Sequence, residues 1–304
     1  MTAETRKGRS QHGAPRGFSP RGLSPLGELV RRHDRDRYQT ALFAPADRRE
    51  ALFALYAFNY EIARVRESVT QPMLGQIRLQ WWREVIEAAY AGEAPRRHEV
   101  ALPLTAAIRE FGLSRSHFDR MIDAREVDLS DGPPADMAAL AEYAERTSAE
   151  LIRLAVGVLE PERRHPAGPA VADAAAHVGI AYALAGLLRA MPFHATTGRS
   201  YIPADLASEA GLHLRDYSEL RPTPGLQRAV SRIANTAESH LVSSRQLRAE
   251  VPRGALPALL PAVIADRTLV RLQRAGWNPF DPRLAAPDTL QSWRLAAVAW
   301  RGRF

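Results

Sequence analysis

The stretch Ala135–Leu159, ADMAALAEYAERTSAELIRLAVGVL, decides the fold class. Leu140, Tyr143, Ala144, Thr147, Leu151, Leu154 and Val158 recur at steps of three and four, which puts them on one stripe of a helix. The same period continues on either side of it. Upstream, Asp131-Gly-Pro-Pro134 reads as a loop, preceded by helical segments at Val100–Phe111 and Ser114–Val127, the latter with Ser114 as its N-cap. Before those, Pro72 opens a segment carrying Leu74, Ile77, Trp81, Val85 and Ala88 that closes at Ala91-Gly92. A still earlier segment, Asp47–Val69, carries Leu52, Leu55, Tyr56 and Asn59, with Phe53 and Phe58 widening the stripe. Downstream, Pro161–Pro169 breaks the chain and an Ala-rich helix runs from Ala170 to Met191, where Pro192 is expected to stop it. Segments at Leu226–Glu250, Ala258–Ala275 and Leu290–Trp300 complete the set. No alternating strand pattern, hairpin turn or internal repeat competes. The reading is an all-α, single multi-helix domain over 28–304.

Composition narrows the function classes. The chain has 304 residues, 41 Lys+Arg against 34 Asp+Glu, and no cysteine. Disulfides, thiolate metal sites, iron–sulfur ligation and cysteine nucleophiles are thereby excluded. The formal charge of +7 invites a nucleic-acid reading, but Lys7 is the only lysine, and so uniform a choice of Arg reads as genomic base composition. The excess is also concentrated. Residues 1–27 hold Arg6, Lys7, Arg9, Arg16 and Arg21 against Glu4, in a Gly, Ser and Pro-rich stretch expected to be a disordered basic tail. It has neither the apolar run of a secretory signal nor the apolar face of a transit peptide. The longest uncharged apolar-rich run is read near Ala255–Ala265, interrupted by Pro257 and Pro261, so no transmembrane segment is expected.

Phosphate loops, dinucleotide fingerprints, nucleophile elbows and zinc motifs are missing from the sequence. The nine histidines are scattered, and His177, inside an Ala-rich helix, reads as a hydrogen-bonded core residue. Basic clusters with interleaved aromatics are also lacking, so nucleic acid is not an expected partner. Asp119, Asp123 and Glu126 share a helix face that could hold a divalent ion, but Arg115, Arg120 and Arg125 stand among them, which favours a solvated, self-paired face.

Five stretches, in order, resemble the squalene/phytoene synthase family, all-helical enzymes that join two prenyl diphosphates head to head. They are YQTALFAPADRR at Tyr38–Arg49, LYAF at Leu55–Phe58, Trp82 with Tyr90-Ala-Gly92, EYAERT at Glu142–Thr147, and Gly179–Arg189 followed by Gly198-Arg-Ser-Tyr-Ile-Pro203. The resemblance implies an isoprenoid-synthase-like fold over about Leu26–Arg301. It also implies where Mg²⁺-binding carboxylates should stand: Asp-Asp-x-x-Asp after the first motif and Asp-x-x-Glu-Asp after the second. This chain has Ala63, Arg64 and Glu67 at the first set and Ala190, Phe193 and His194 at the second. One carboxylate of six survives, beside a fixed cation. Glu61 cannot substitute, because six residues from Glu67 is about 240° around a helix and the two point apart. Hard divalent ions need several oxygen ligands, so the expectation is no catalytic residue, no metal and no cofactor, with Mg²⁺ only if transferase chemistry held.

The same losses, with IRLQWWREVIEAAY (Ile77–Tyr90), LRAMPFHATTGRSYIPADL (Leu188–Leu206) and QSWR (Gln291–Arg294), resemble a branch of the family that serves respiratory complex I assembly. That resemblance implies a non-catalytic cytoplasmic protein, peripheral to the inner membrane, with complex I subunits or assembly intermediates as partners. A prenyl transferase and a prenyl-phosphate or anionic-lipid binder are the alternatives. For the retained residues two readings stand. Arg199 pairs with an acid on a neighbouring helix while Tyr201 packs, or Arg64, Arg189 and Arg199 with Tyr201 line a pocket for a lipid phosphate, which Arg grips without metal. Tyr56, Phe58, Trp81 and Trp82 are either core or the wall of an apolar tunnel.

Overall fold

In the computed structural model the residues described are 23–130, 132–160 and 168–304, and all regular structure among them is helical. The basic tail lies outside the described residues up to residue 22. Helix α1, Pro25–His33, starts earlier than the expected boundary at 28: Ser24 Oγ accepts the Gly27 amide at 3.0 Å, Pro25 occupies the first turn, and Leu26, Gly27 and Val30 are buried. Helix α2 (Arg35–Ala41) follows, capped by Asp34.

Helix α3, Ala46–Ala63, is buried on all sides from Ala51 to Asn59, so it forms a core rod rather than a surface helix. It ends six residues before the expected Val69. Val65 turns into the core, the Ser68 hydroxyl donates to the Val65 carbonyl at 2.9 Å, and Arg66–Ser68 form a separate 3-10 turn. A side chain competing for backbone groups is a common way to stop a helix. Glu67 therefore does not lie on α3, and the helical angle between Glu61 and Glu67 has no meaning here.

Helices α4 (Pro72–Tyr90), α5 (Ala101–Phe111) and α6 (Arg115–Glu126) come next. Ser114 precedes α6, but its Oγ lies 3.0 Å from Ser116 Oγ and caps no backbone amide. The stretch expected as one helix over 135–159 is α7 (Met137–Ala144) and α8 (Glu150–Leu159), joined by a π turn at Glu145–Ala149. That wider turn presents Ala149 to helix α9, Pro169–Arg189, at Gly179. Pro192 does not end α9; it opens α10 (Met191–Thr196), because proline suits a first helical turn. The chain continues through α11 (Ala204–Glu209), α12 (Leu214–Ser218), α13 (Pro224–Gln246), α14 (Leu256–Leu259), α15 (Pro261–Arg274), α16 (Pro282–Ala285) and α17 (Gln291–Arg301).

The centre of the molecule is α9, packed against α7, α8, α13 and α15. Small residues on it (Ala174, Ala175, Gly179, Ala181, Ala185) are buried and let those neighbours approach closely. It is also longer and more apolar than the run near Ala255–Ala265, with a mean hydropathy of 1.6 over its most apolar stretch, of which 61% is buried. Among the described residues it is the one helix long and apolar enough to cross a membrane, and here it forms the core. His177 on α9 places Nδ1 2.9 Å from Nδ1 of His240 on α13; it is hydrogen-bonded as expected, but half-buried rather than in the core.

Candidate functional site

Tyr56, Phe58 and Trp82 are buried and Trp81 is half-buried. Phe58 makes edge contacts with Trp82 at 5.2 Å and Phe118 at 5.5 Å between ring centres. These rings fill core; each such pair adds about 0.5–1.5 kcal/mol beyond simple burial. None of the four lines either of the cavities below.

The structure separates the three candidate phosphate-binding arginines. Arg64 caps the end of α3, where its guanidinium lies 3.6 Å from Glu61 and over the Tyr60 ring. Arg189, at the end of α9, donates to Asp36 Oδ2 at 2.9 Å; the other Asp36 oxygen accepts Gln291 Nε2 at 2.8 Å. Arg199 is elsewhere again, donating to Asp128 Oδ1 at 2.8 Å and to the Asp128 carbonyl at 3.1 Å. The pairing reading of Arg199 thus describes its geometry, although its acid stands on a 3-10 turn, Val127–Leu129, just beyond α6.

Asp128 is the hub of a buried polar cluster. Its carboxylate accepts the Tyr143 hydroxyl at 2.9 Å, the Tyr201 hydroxyl at 2.8 Å, Arg199, and Arg125 Nη1 at 3.1 Å. Arg125 also donates to the Tyr143 oxygen at 2.7 Å. Burial works against the Arg125 charge, but Tyr143, Asp128 and Tyr201 outweigh it and hold the guanidinium above its usual value. Burial pushes the Tyr143 phenol up to about 12, and burial with Tyr143 and Asp128 raises Tyr201 further. Both phenols therefore stay protonated and serve as donors. The cluster floors a cavity of about 220 Å³ whose rim includes Val127, Pro134, Ala139, Glu142 and Arg146.

A larger cavity of about 350 Å³ opens between α2, α9, α15 and the 284–292 segment. Arg35, Asp36, Arg189, Arg267 and Arg271 line it beside Leu188, Ile264, Leu272 and Leu284. The segment is strapped across it. Arg271 Nη2 donates to the carbonyls of Arg283 and Ala286, both at 2.7 Å, and Asp288 accepts Arg294 Nη1 at 2.6 Å.

The residues standing at the two aspartate-rich positions do not fit Mg²⁺. Ala63, Arg64, Ala190 and Phe193 offer no carboxylate, and Glu67 sits on its own turn. Ala190 caps α9 while Phe193 and His194 lie on α10, so the second set no longer shares a helix face. His194 packs its ring on Tyr201 at 4.9 Å. Buried carboxylates elsewhere already have partners: Asp128 and Asp36 as above, and Glu150 the His117 ring, Arg120 at 3.1 Å and Arg153 at 2.8 Å. Asp123 and Glu126 on α6 are bridged from α4 by Arg83 Nη2 at 2.7 and 2.8 Å, so that face is paired, though across helices. Among the described residues no three His, Asp or Glu side chains converge as a metal site requires.

Burial, with Arg199 nearby, lowers His194 from 6.5 to about 4. The unfolded chain then binds the proton first, so stability is lost as pH falls from about 6.5 toward 4. The loss is at most about 3 kcal/mol, the equivalent of that shift. His194→Gln should flatten urea midpoints across this window, and an unchanged acid slope would remove the assignment.

An all-helical core around α9, with a buried Tyr–Arg–Asp cluster beneath a cavity, defines a protein of isoprenoid-synthase-like architecture. A family model for squalene/phytoene synthase matches residues 30–301, and the chain belongs to that family. It is 32% identical over 278 residues to the Mus musculus protein named NADH dehydrogenase (ubiquinone) complex I, assembly factor 6, covering 91% of this chain and 81% of the other. It is also 30% identical over 210 residues to presqualene diphosphate synthase of Sinorhizobium fredii, covering 69% and 72%. Among solved structures, squalene synthase HpnC from Alicyclobacillus acidocaldarius superposes with a TM-score of 0.72 at 22% identity over 84% of this chain and 94% of that one, a likeness of fold.

Proposed function

We propose that this chain is a non-catalytic member of the family that acts in the assembly of respiratory complex I, at the cytoplasmic face of the inner membrane. The donor set carries the reading. Ionising an allylic diphosphate needs a divalent ion to take up the departing charge, and Ala63, Arg64, Ala190, Phe193 and His194 stand where its ligands would be. The breadth of the match to proteins named as complex I assembly factors supports the rest. Complex I subunits or assembly intermediates are the partners this implies. A deletion strain should lose assembled NADH:quinone oxidoreductase on native gels, keep its carotenoids and hopanoids, and regain the complex from a plasmid copy. The purified protein with farnesyl diphosphate and Mg²⁺ should release no diphosphate; release that disappears in Glu67→Gln would overturn the reading.

The larger cavity favours a second reading, a carrier of a prenyl phosphate or anionic lipid. Arg35, Arg189, Arg267 and Arg271 are basic groups beside an apolar lining there, in place of the Arg64, Arg189, Arg199 and Tyr201 set. Stoichiometric phosphate-bearing lipid in extracts of the purified protein would support it. A protein without such lipid and with no affinity for farnesyl diphosphate would sink it.

A further inference from the structure

Helix α17 has the wrong outer face for a surface helix. Leu295 is buried against the body and Val298 packs on the core, as an amphipathic helix requires. The opposite side carries Trp293, 76% exposed, and Trp300, 85% exposed, with Ala296 and Ala297 between them. The two indoles are seven positions apart, so they project within about 20° of each other, about 10 Å apart along the axis. A soluble surface helix ordinarily turns charged residues outward. Two nearly fully exposed tryptophans on one face are not scattered singles; they form a patch that needs an explanation.

The surroundings of the patch are basic. From Gln291 to Phe304 the chain has Arg294, Arg301 and Arg303 and no acidic residue. Arg294 is held by Asp288, while Arg301 and Arg303 are exposed. Arg248 lies over the Phe304 ring at 5.7 Å, where burial, with Arg245 and Arg303 nearby and Asp266 opposing them, lowers its pKa. Arg253 packs at Gly302, where an added Cβ would stand 3.1 Å from its Nε.

We propose that α17 docks this protein flat onto an anionic lipid surface, with Trp293 and Trp300 at headgroup depth and the exposed Arg301 and Arg303 facing lipid phosphates. Indoles, apolar in body with one polar N–H, favour the membrane interface. Two rings level along an axis fit a plane, whereas a tryptophan anchoring a protein partner usually fills one pocket. Charge and apolar area together suffice for reversible attachment, with no helix entering the bilayer. The attachment is independent of whether the fold retains catalysis.

The full chain is tested by co-flotation with phosphatidylcholine vesicles, with and without cardiolipin. Binding should require cardiolipin, weaken as salt rises, and fall at least about tenfold both in Trp293→Ser/Trp300→Ser and in Arg301→Gln/Arg303→Gln, each Arg near an anionic surface contributing about 1 kcal/mol. Both pairs are exposed, so unfolding midpoints should hold. Should a variant fail to fold, brominated lipid must quench the native protein's fluorescence. Failure to float, indifference to lipid charge, or undiminished binding by the variants overturns the proposal. So does a dimer in sedimentation that dissociates in Trp293→Ser/Trp300→Ser, which would make the patch a contact between copies.

Discussion

Asp128→Ala is expected to destabilise the protein by about 3–5 kcal/mol, the cost of leaving a buried cation unpaired. The substitution removes the acceptor of two phenols, Tyr143 and Tyr201, and the counter-charge of Arg125 and Arg199. Arg125 is the costly survivor, because its side chain is mostly buried and keeps only the Tyr143 oxygen at 2.7 Å. Asp128→Asn, which still accepts hydrogen bonds, should cost less. Urea unfolding of the two variants, followed by circular dichroism, checks the order. Equal midpoints for Asp128→Ala and the native protein would mean that the cluster is solvated rather than buried. If the cluster also shapes the smaller cavity, the alanine variant should show a loosened 127–146 region by hydrogen exchange, since the turn carrying Asp128 is held to Tyr143 and Arg199 chiefly through this carboxylate.

Gly179→Ala should also destabilise the protein, for a different reason. A Cβ on Gly179 would stand 2.3 Å from Ala149 Cα and 2.5 Å from Ala149 N, both backbone atoms of the π turn between α7 and α8. Side chains can rotate away; backbone cannot, so the helices must separate. Overpacking typically costs about 1–3 kcal/mol and can exceed that where the obstruction is rigid, whereas alanine gains only about 1 kcal/mol of helix propensity over glycine. The steric cost wins, with a net loss of about 2 kcal/mol or more. Gly186→Ala is the internal control. It lies on the same helix with nothing within 4 Å of its Cβ position, so only the propensity gain remains and the midpoint should rise. Matching shifts at 179 and 186 would show that the close crossing of α9 and the π turn is absent in solution.

These two positions also show what could be read from the chain. Helical periodicity was enough to find α3 to α9, α13, α15 and α17, because each buries one face or, for α3 and α9, nearly all faces. It missed α1, α2 and the short helices around α10–α12, where caps and prolines set boundaries over too few turns for a period to show. It overran the end of α3, because Arg64, Arg66 and Glu67 suit a helix locally, and the inward turn of Val65 and the Ser68 hydroxyl on its carbonyl end it. Asp128 carried no signal: it follows the acidic face of α6 by two residues but sits past the helix end, on a turn that points it inward. Tyr143, Arg199 and Tyr201 were singled out in the sequence, yet nothing there said that they meet on that one carboxylate.

The sequence by itself determined the helical class, the family, and the loss of five of six motif carboxylates, since each is a matter of residue type at a given spacing. It also placed Arg64 where a metal-binding aspartate would be expected. Only the tertiary structure decided that Arg64, Arg189 and Arg199 serve three different acids rather than one pocket, and that the aromatic stripe is filled core. It alone turned Trp293 and Trp300 away from the body. Such outcomes depend on which helices cross and at what distance, and side-chain reach across a helix pair is fixed by packing rather than by order along the chain.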